Sequence, residues 1–284
     1  MRLHQLSLAA VCAGAAAGAY ARFVEPSRLE TVRLDLHVDS WPDGLNGIRL
    51  GVVGDLHVGA RRGRPWPSPA LESAIAAIRD ASVDLLLLVG DYGYMQWDAE
   101  DLAAIVGRFD APVRVAVLGN HDFGRGGKRA AALRLELERQ GIQVLVNEVT
   151  EVDVEGHSLS VAGLGDLHAQ RVDVEAMVSG IPENRGPLIL LSHSPDAVAR
   201  VPSDAFDVAF SGHTHGAQVA LPFLRNRTLR RFAHTAYDRG LYDVNGHRLY
   251  VTKGVGMVGY HARFRARPEV VIATVAQPSD GAAG

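Results

Sequence analysis

The sequence predicts an α/β fold that leans towards α+β, in which two mixed β-sheets pack face to face as a sandwich flanked by helices. Two observations predict it. Short apolar runs typical of buried strands alternate with helix-forming segments along most of the 284 residues. In the second half of the chain, turn residues between strand-like runs indicate hairpins. A chain of this length can form one large domain or two small ones, and we expect one, over residues 25–276.

The first half of the chain holds the strand and helix alternation. Apolar runs predict buried strands, an alternating pattern predicts an edge strand, and amphipathic or helix-forming stretches predict helices. The elements expected up to residue 140 are an edge strand at 31–38, strands at 48–53, 85–89 and 113–118, and helices at 70–81, 98–109 and 128–140. Residues 61–69 carry three prolines and three arginines and are expected to form a loop.

Hairpin signals appear after residue 147. The runs 148–154 and 158–164 flank Glu155-Gly156-His157, and Asn245-Gly246 lies between two further strand-like runs, the strongest short hairpin signal. The remaining expected elements are helices at 174–179 and 196–200, and strands at 188–191, 208–210 and 269–275. The tail 277–284, rich in Pro, Ser, Gly and Ala, is expected to be disordered.

The first 24 residues are expected to target or anchor the chain. Arg2 precedes an uncharged apolar run at 6–20, which is shorter than the roughly 20 residues of a membrane-crossing helix. Ala17-Gly18-Ala19 offers a signal-peptidase cleavage site. A cleaved signal peptide and an uncleaved membrane anchor both stay open, and an ordinary core helix is the third reading. The first two predict an exported or membrane-associated protein.

The composition excludes some classes of function. A net charge of −3 argues against a broad nucleic-acid surface, which needs surplus Lys and Arg. Cys12 is the single cysteine, so neither a disulfide framework nor a thiolate metal site is expected. A metal site in this chain must therefore use His and oxygen ligands.

Five short segments ending in metal-ligand residues each follow a predicted strand. They are Gly54-Asp55-Leu56-His57, Gly90-Asp91, Gly119-Asn120-His121-Asp122, Ser192-His193-Ser194 and Gly212-His213-Thr214-His215. Functional groups of open α/β sheets gather outside the carboxyl ends of strands, so these segments are expected to meet in one crevice. Carboxylate and amide oxygens together with imidazole nitrogens suit divalent ions such as Mn, Fe or Zn.

We assign seven of these residues as metal ligands. They are Asp55, His57, Asp91, Asn120, His193, His213 and His215. Asp91 follows a very apolar strand, where an uncompensated carboxylate would be costly, and its several lone pairs make it the natural bridge between two ions. His121, adjacent to Asn120, is expected to face the substrate as a catalytic residue, with Asp122 orienting its ring.

A second Asp-Leu-His tripeptide, Asp166-Leu167-His168, occurs later in the chain. It shows that this tripeptide alone is weak support for a metal site. We expect it to cap or brace a loop near the site, with metal contact as the less favoured alternative.

The ordered set of five segments resembles the calcineurin-like metallophosphoesterase superfamily over residues 48–216. The flanks are similar to its bacterial membrane-associated phosphodiesterase branch, through the hydrophobic leader and Val24-Glu25-Pro26, and through Gly240-Leu241-Tyr242 and the stretch 263–269. The sequence departs from the family pattern at two places that bear on which substrate the protein takes. They are a compact loop after His57, and Tyr92-Gly93-Tyr94 after Asp91.

The resemblance implies a metallophosphoesterase-like fold and the division of the ligands between two ions. One ion is expected on Asp55, His57, Asp91 and His215, and the second on Asp91, Asn120, His193 and His213. The implied enzyme is a phosphodiesterase or pyrophosphatase that uses a metal-bridging hydroxide, acting on a lipid-linked or membrane-proximal phosphate. The alternatives are an exported phosphodiesterase or phosphomonoesterase with a soluble substrate, and a non-catalytic scaffold of the same fold.

Two arginine-rich segments follow the last motif. They contain Arg225, Arg227, Arg230 and Arg231 with Phe223, Leu224, Leu229 and Phe232, and then Arg263, Arg265 and Arg267. Either they form a solvated surface, or they form an interfacial patch that meets anionic headgroups.

Overall fold

Two six-stranded mixed sheets pack against each other and carry helices on their outer faces, which confirms the predicted fold class. The computed structural model describes residues 2–39, 41–124, 127–221 and 225–278. Its strands are β1 (Glu30–His37), β2 (Ile48–Val53), β3 (Val58–Arg61), β4 (Arg64–Trp66), β5 (Leu85–Leu88), β6 (Gly93–Met95), β7 (Val113–Ala116), β8 (Gln143–Val144), β9 (Glu148–Val154), β10 (His157–Gly163), β11 (Leu188–Ser192), β12 (Val208–Ser211), β13 (Gly240–Val244), β14 (His247–Val251) and β15 (Glu269–Ala276).

The α-helices of the described residues agree closely with the sequence. They are α1 (Arg2–Ala19), α2 (Leu71–Ala81), α3 (Ala99–Val106), α4 (Asn120–Phe123), α5 (Lys128–Arg139), α6 (Val174–Ser179), α7 (Pro195–Val198) and α8 (Arg225–Thr228). Helix α3 begins after Asp98, whose side chain accepts hydrogen bonds from the backbone N–H groups of Glu100 and Asp101. The helices predicted at 70–81, 98–109 and 128–140 are confirmed, with ends shifted by one to three residues.

The topology brings the loops after the central strands to one edge. The first sheet has the order β1-β15-β2-β5-β7-β8, with β2, β5, β7 and β8 parallel to one another. The second has the order β13-β14-β12-β11-β10-β9, with β10, β11, β12 and β14 parallel and hairpin partners at both ends. Because carboxyl ends of parallel strands share an edge, the segments after β2, β5, β7, β11 and β12 converge.

The packing of β5 shows why its sequence is continuously apolar. Leu85 and Leu87 pack between the two sheets, whereas Leu86 and Leu88 pack under the helices of the first sheet. All four side chains are fully buried, as is usual for a central parallel strand covered on both faces. Truncating one of them to Ala is expected to cost about 2–5 kcal/mol.

The loop prediction for residues 61–69 is wrong in part, since Arg61 and Arg64–Trp66 lie in strands and only residues 62–63 and 67–69 do not. Strands β3 and β4 form a hairpin there and pair with β6 in a small third sheet. The buried Trp66 fixes this hairpin, since its indole N–H donates to the carbonyl of Met257, 2.8 Å away. That partner lies far along the chain, so no local pattern announces the hairpin.

At the N-terminus, the apolar run lies within α1, and the chain continues helically through Tyr20–Val24. Among the described residues, no helix is both long and apolar enough to cross a membrane. At the other end, Gln277 donates a backbone hydrogen bond to Asn46. Residues 279–284 of the expected disordered tail lie outside the described residues, and the proposed domain limits stay a prediction.

Candidate metal centre

The five ligand-bearing segments lie side by side where the two sheets meet. Asp55 and His57 follow β2, Asp91 follows β5, Asn120 begins α4 after β7, His193 follows β11, and His213 and His215 follow β12. Six of the seven predicted ligands belong to groups whose donor atoms lie within 4.8 Å of one another. The seventh, Asn120, lines the same cavity as Asp91 and His213.

The first group consists of Asp55, His57 and His215, all buried. The Nε2 atoms of His57 and His215 are 2.9 Å apart. Oδ1 of Asp55 lies 3.4 Å from Nε2 of His215 and 3.8 Å from Nε2 of His57. One carboxylate oxygen and two imidazole nitrogens therefore point at a common centre.

The second group consists of Asp91, His193 and His213. Nδ1 of His193 donates to the carbonyl of Val89 at 2.8 Å, which leaves Nε2 facing Oδ2 of Asp91 at 3.2 Å. His213 donates through Nε2 to the carbonyl of Ala233 at 3.3 Å, which leaves Nδ1 for the group. Such backbone bonds fix the tautomer of a metal-binding histidine.

Asp91 lies between the two groups. Its Oδ2 is 3.6 Å from Nε2 of His57 in the first group and 3.2 Å from Nε2 of His193 in the second. Its Oδ1 accepts the backbone N–H of His121 at 2.9 Å. A single carboxylate thus faces both clusters, which is the position that a bridging ligand would need.

Five of the candidate ligands adopt left-handed backbone conformations. Their φ angles are +49° at Asp55, +47° at His57, +54° at Asp91, +72° at His213 and +51° at His215. For a residue with a side chain this conformation costs roughly 1–2 kcal/mol. Such strain clusters at functional sites because the surroundings over-determine the backbone.

Glycines allow the backbone to approach these side chains closely. A Cβ on Gly119 would lie 2.2 Å from Oδ1 of Asp91, and a Cβ on Gly254 would lie 2.4 Å from Cβ of Asp55. Neither contact is sterically possible, so both positions require glycine. Gly119 belongs to a recognised segment, whereas the closeness of Gly254 to Asp55 is visible only in the fold.

The electrostatics of the centre favour a bound cation. Burial lowers the pKa of His57 to about 3 and the pKa values of His213 and His215 well below normal, so these rings are neutral and keep a free lone pair. Burial raises the pKa of Asp55 to about 7. His193, the backbone N–H of His213 and Arg263 offset only part of the desolvation of Asp55. A bound cation would therefore stabilise its carboxylate.

The second group is electrostatically different. Burial opposes ionisation of Asp91, but the neighbouring His193 and His121 rings hold the pKa of its carboxyl well below the usual range. Burial likewise opposes protonation of His193, and the Asp91 carboxylate raises its pKa well above normal. The Asp91 carboxylate and the His193 ring therefore attract each other across 3.2 Å.

His121 lines the mouth of the centre. It is not one of the seven predicted ligands, although it forms a third group of close donor atoms with His57 and Asp91. Its ring centroid is 4.9 Å from that of His57 and 5.5 Å from that of Tyr94. It borders a cavity of about 430 Å³ whose other lining residues include Leu229 and Val258. Tyr94 belongs to Tyr92-Gly93-Tyr94, which departs from the family pattern, and its ring packs beside those of His57 and His121.

Asp122 has other partners than the sequence suggested. Its oxygens accept the backbone N–H groups of Asp91 at 2.8 Å, Tyr92 at 2.9 Å, Gly93 at 3.0 Å and Gly119 at 2.9 Å. Within the described part of the chain, none of its hydrogen bonds goes to a ring. Asp122 therefore holds the loop that carries Asp91, instead of orienting a histidine.

Arg263 was expected on a surface patch, and that expectation is wrong. Its side chain is fully buried and donates to the carbonyls of Lys253, Gly254 and Ala266. Its guanidinium lies 3.3 Å from Nδ1 of His215. These backbone acceptors can be recognised only in the folded chain, because they come from distant turns.

The first arginine-rich segment is only partly described. Leu229 is buried, and Arg225 forms an ion pair with Asp238 at 3.0 Å. Residues 222–224, with Phe223 and Leu224, lie outside the described residues, as do the side chains of Arg231 and Phe232. The patch prediction for this segment therefore stays a prediction.

The second Asp-Leu-His braces the centre, as expected. Asp166 accepts the Ser194 hydroxyl at 3.1 Å and the backbone N–H of Ala169 at 2.7 Å. The ring of His168 stacks on His213, with centroids 4.3 Å apart and planes inclined by 19°. Neither residue belongs to a candidate metal group of the described chain.

Comparison with known proteins settles the family. A family model described as calcineurin-like phosphoesterase matches residues 48–217, more than half of the chain. The chain belongs to this family. It is thus a metallophosphoesterase, and the candidate groups described above are His and Asp clusters suited to the divalent metals that the family uses.

Three curated relatives extend the likeness over nearly the whole chain. The uncharacterized metallophosphoesterase YkuE of Bacillus subtilis (strain 168) is 28% identical over 277 residues, covering 95% of this chain and 93% of that protein. Phosphodiesterase YaeI of Escherichia coli (strain K12) is 27% identical over 267 residues, covering 93% and 94%. The UDP-2,3-diacylglucosamine pyrophosphatase LpxG of Chlamydia muridarum is 26% identical over 306 residues, covering 89% and 91%.

Proposed function

We propose that this metallophosphoesterase holds two divalent ions and hydrolyses a phosphodiester or pyrophosphate. Asp55, His57, Asp91 and His215 would hold one ion. Asp91, Asn120, His193 and His213 would hold the other. The observation that carries the proposal is the pair of donor groups, each within 4.8 Å, on the two sides of Asp91.

Unsatisfied polar atoms support the fit of metal to these residues. Oδ1 of Asn120 and Nε2 of His193 are buried, and neither has a hydrogen-bond partner in the described part of the chain. Buried polar atoms are normally paired, so these two lack a partner that a cation would supply. The mixture of imidazole, carboxylate and amide donors suits Mn, Fe or Zn.

The chemistry divides between the ions and the chain. Two bound divalent ions would supply a hydroxide nucleophile at neutral pH and positive charge for the phosphoryl oxygens. A ring nitrogen of His121, at the cavity mouth, would donate a proton or hydrogen bond to the leaving or a nonbridging oxygen. Asp122 would act through position, because it fixes the loops that carry Asp91 and Asn120.

We further propose a lipid-linked or membrane-proximal substrate. The cavity beside the ligands is lined by Ala217, Leu229, Ala233 and Val258, so the phosphate site adjoins an apolar wall. The relative LpxG is named for a pyrophosphate that carries acyl chains, and α1 precedes the domain as an apolar helix. All three observations favour a substrate with an apolar part, and a protein that is exported or associated with a membrane.

Metal analysis joined to a substrate panel tests the proposal. The full chain, loaded with Mn, should contain two ions and hydrolyse an aryl phosphodiester. Asp91→Asn should hold fewer than two ions and lose activity, because the shared ligand is weakened. Asp153→Asn, an exposed β9 residue with the same change in charge, serves as the matched control and should retain both. Two ions and full activity in Asp91→Asn would refute the dinuclear assignment.

The same panel tests the substrate class. Hydrolysis of a diacylated nucleotide pyrophosphate in mixed micelles is compared with that of an unacylated nucleotide pyrophosphate and a phosphomonoester. A preference for the acylated compound is expected, because the apolar wall has no partner on a small substrate. Equal efficiency on the acylated and unacylated compounds would favour an exported enzyme with a soluble substrate.

A further inference from the structure

A second cleft, separate from the catalytic cavity, lies at the foot of the N-terminal helix. We call it the basic cleft. Its volume is about 440 Å³, and it is lined by Tyr20, Arg239, Lys253, Arg265 and Arg267 together with the carboxylates of Glu25 and Glu30. It shares no lining residue with the cavity beside the metal ligands. We propose that the basic cleft binds the phosphate headgroup of an anionic phospholipid in a bilayer.

Among the described residues, the lysine of the cleft forms ion pairs, whereas its arginines do not. Lys253 is balanced, since its ammonium lies 2.7 Å from carboxylate oxygens of both Glu30 and Glu269. In contrast, none of the ion pairs found in the described part of the chain involves Arg239, Arg265 or Arg267. Four cationic groups therefore face two carboxylates in the cleft. Glu30 attracts Arg239 and Arg267 from a distance, but none of the three guanidinium groups forms an ion pair within the described residues.

The backbone fixes two of these arginines in place. A guanidinium nitrogen of Arg239 donates to the carbonyl of Arg265 at 2.5 Å, which joins two otherwise distant segments. Arg265 and Arg267 are exposed, and the residue between them, Ala266, donates its N–H to Glu25 at 2.7 Å. Guanidinium groups suit phosphate because their planar fork can donate two parallel hydrogen bonds.

Apolar side chains next to the cleft indicate a bilayer as the source of the phosphate. Tyr20 lines the cleft, and just beyond it Phe23 and Val24 expose 73% and 41% of their surface. Arg22 lies 5.0 Å above the Phe23 ring. Basic and aromatic residues at the end of an apolar helix are typical of the membrane interface. A soluble phosphate would have no use for these exposed side chains.

The basic cleft lies directly behind the candidate metal centre. A Cβ on Gly216, next to His215, would lie 2.9 Å from Cγ of Lys253 and 3.2 Å from Cδ of Arg239. The backbone N–H of Arg263 donates to the carbonyl of Ala21 at 2.9 Å. A headgroup in the cleft would therefore hold the catalytic cavity close to the bilayer surface.

Vesicle binding by the full chain tests this site. Phosphatidylcholine vesicles with about 30% phosphatidylglycerol are compared with pure phosphatidylcholine at constant ionic strength. Replacing Arg239, Arg265 and Arg267 by Gln should reduce the extra binding to anionic vesicles about tenfold or more, since each basic residue near an anionic surface contributes. The control replaces Arg33, Arg200 and Arg248, which are exposed elsewhere, by Gln and removes the same charge. An equal loss in both variants would overturn the site and leave only diffuse charge attraction.

Two further measurements keep the test decisive. Arg265→Gln with Arg267→Gln leaves the Arg239 guanidinium in place and should still lose most of the extra binding. Phenylglyoxal labelling of Arg265 and Arg267 in vesicle-bound protein should be slower on anionic than on neutral vesicles, even where α1 itself attaches the chain. Equal labelling on both vesicles would refute the proposal. Competition by inorganic phosphate as strong as that by anionic vesicles would assign the cleft to a soluble ligand instead.

Discussion

The chain contains the tripeptide Asp-Leu-His twice, and the two copies lie in the same region with different tasks. Asp55-Leu56-His57 follows β2 of the first sheet, and Asp166-Leu167-His168 follows β10 of the second. In the first copy, Asp55 and His57 have positive φ and point their donor atoms at His215. The second copy keeps negative φ at both positions, and its side chains support neighbours instead.

The difference between the copies arises from the backbone and from the neighbours. Asp55 packs against glycines on two sides, Gly212 and Gly254, whose lack of a side chain admits its carboxylate. Asp166 is equally buried, but it is satisfied by a hydroxyl and a backbone N–H. Each oxygen of Asp166 thus has a donor of its own, whereas the two oxygens of Asp55 share the single backbone N–H of His213. Asp55 therefore has more to gain from a cation.

Exchanging the two aspartates for asparagine should give the largest contrast. Asp55→Asn removes a charged donor of the first group and should lower kcat/KM by about 10³-fold or more, because metal assistance contributes several kcal/mol. Asp166→Asn should lower it by less than about tenfold, since the amide oxygen can still accept the Ala169 N–H and the amide nitrogen can donate to the Ser194 hydroxyl. Hydrolysis of an aryl phosphodiester with Mn, alongside metal content, measures both. Equal losses would abolish the distinction between the copies.

His121→Ala should separate chemistry from metal binding. Loss of a proton donor is expected to reduce turnover by roughly 10²-fold or more, while the metal content stays at the wild-type level. Single-turnover rates and metal analysis of the same preparation provide the measurement. If the rate is unchanged at full metal occupancy, His121 has no part in the mechanism.

The space beside Asp55 should be sensitive to one methyl group. Gly254→Ala places a Cβ 2.4 Å from Asp55, so it should lower the free energy of unfolding by about 2–4 kcal/mol, through overpacking and a positive φ. Gly246 has a φ of +87°, compared with +64° at Gly254, and open space where a Cβ would lie. Gly246→Ala should therefore show only the cost of placing alanine at a positive φ. Urea denaturation of both variants isolates the steric part. If Gly254→Ala lowers the free energy of unfolding no more than Gly246→Ala does, the residues around Gly254 can move aside at little cost.

The smallest effect is expected at His168. His168→Ala removes a ring that stacks on His213, an interaction worth about 0.5–1.5 kcal/mol. Affinity for the ion proposed to bind His213 should therefore fall by about two- to twelvefold. His168→Phe keeps a ring of similar shape and should restore most of that affinity. Competitive chelator titration gives the two constants. A loss of an entire ion in His168→Ala would make the second copy a ligand after all.

Much of the site could be predicted because the apolar runs in the sequence show where the strands end. The run before Asp91 is apolar on both faces, and parallel strands deliver their carboxyl ends to one edge, so the segments after β2, β5, β7, β11 and β12 had to converge. Period and composition likewise placed α2, α3 and α5 within three residues at each end.

What the sequence could not provide depends on contacts between distant residues. Left-handed backbone at Asp55 or His215 has no local signal, because it is imposed by packing. Arg263 reads as one of three surface arginines until its carbonyl acceptors are seen. Asp122 follows His121 directly, yet its partners are backbone amides some thirty residues away.

The hydrogen bond from Arg263 to Ala21 limits where the N-terminal segment could be cut without disturbing the fold. Ala21 is buried and Glu25 is fully engaged by Ala266, so the folded body begins before residue 25. Proteolytic removal of the leader after Ala19 would spare both contacts. A cut only a few residues later would remove Ala21 from Arg263, whose guanidinium lies 3.3 Å from His215, and would be expected to disturb the candidate metal centre.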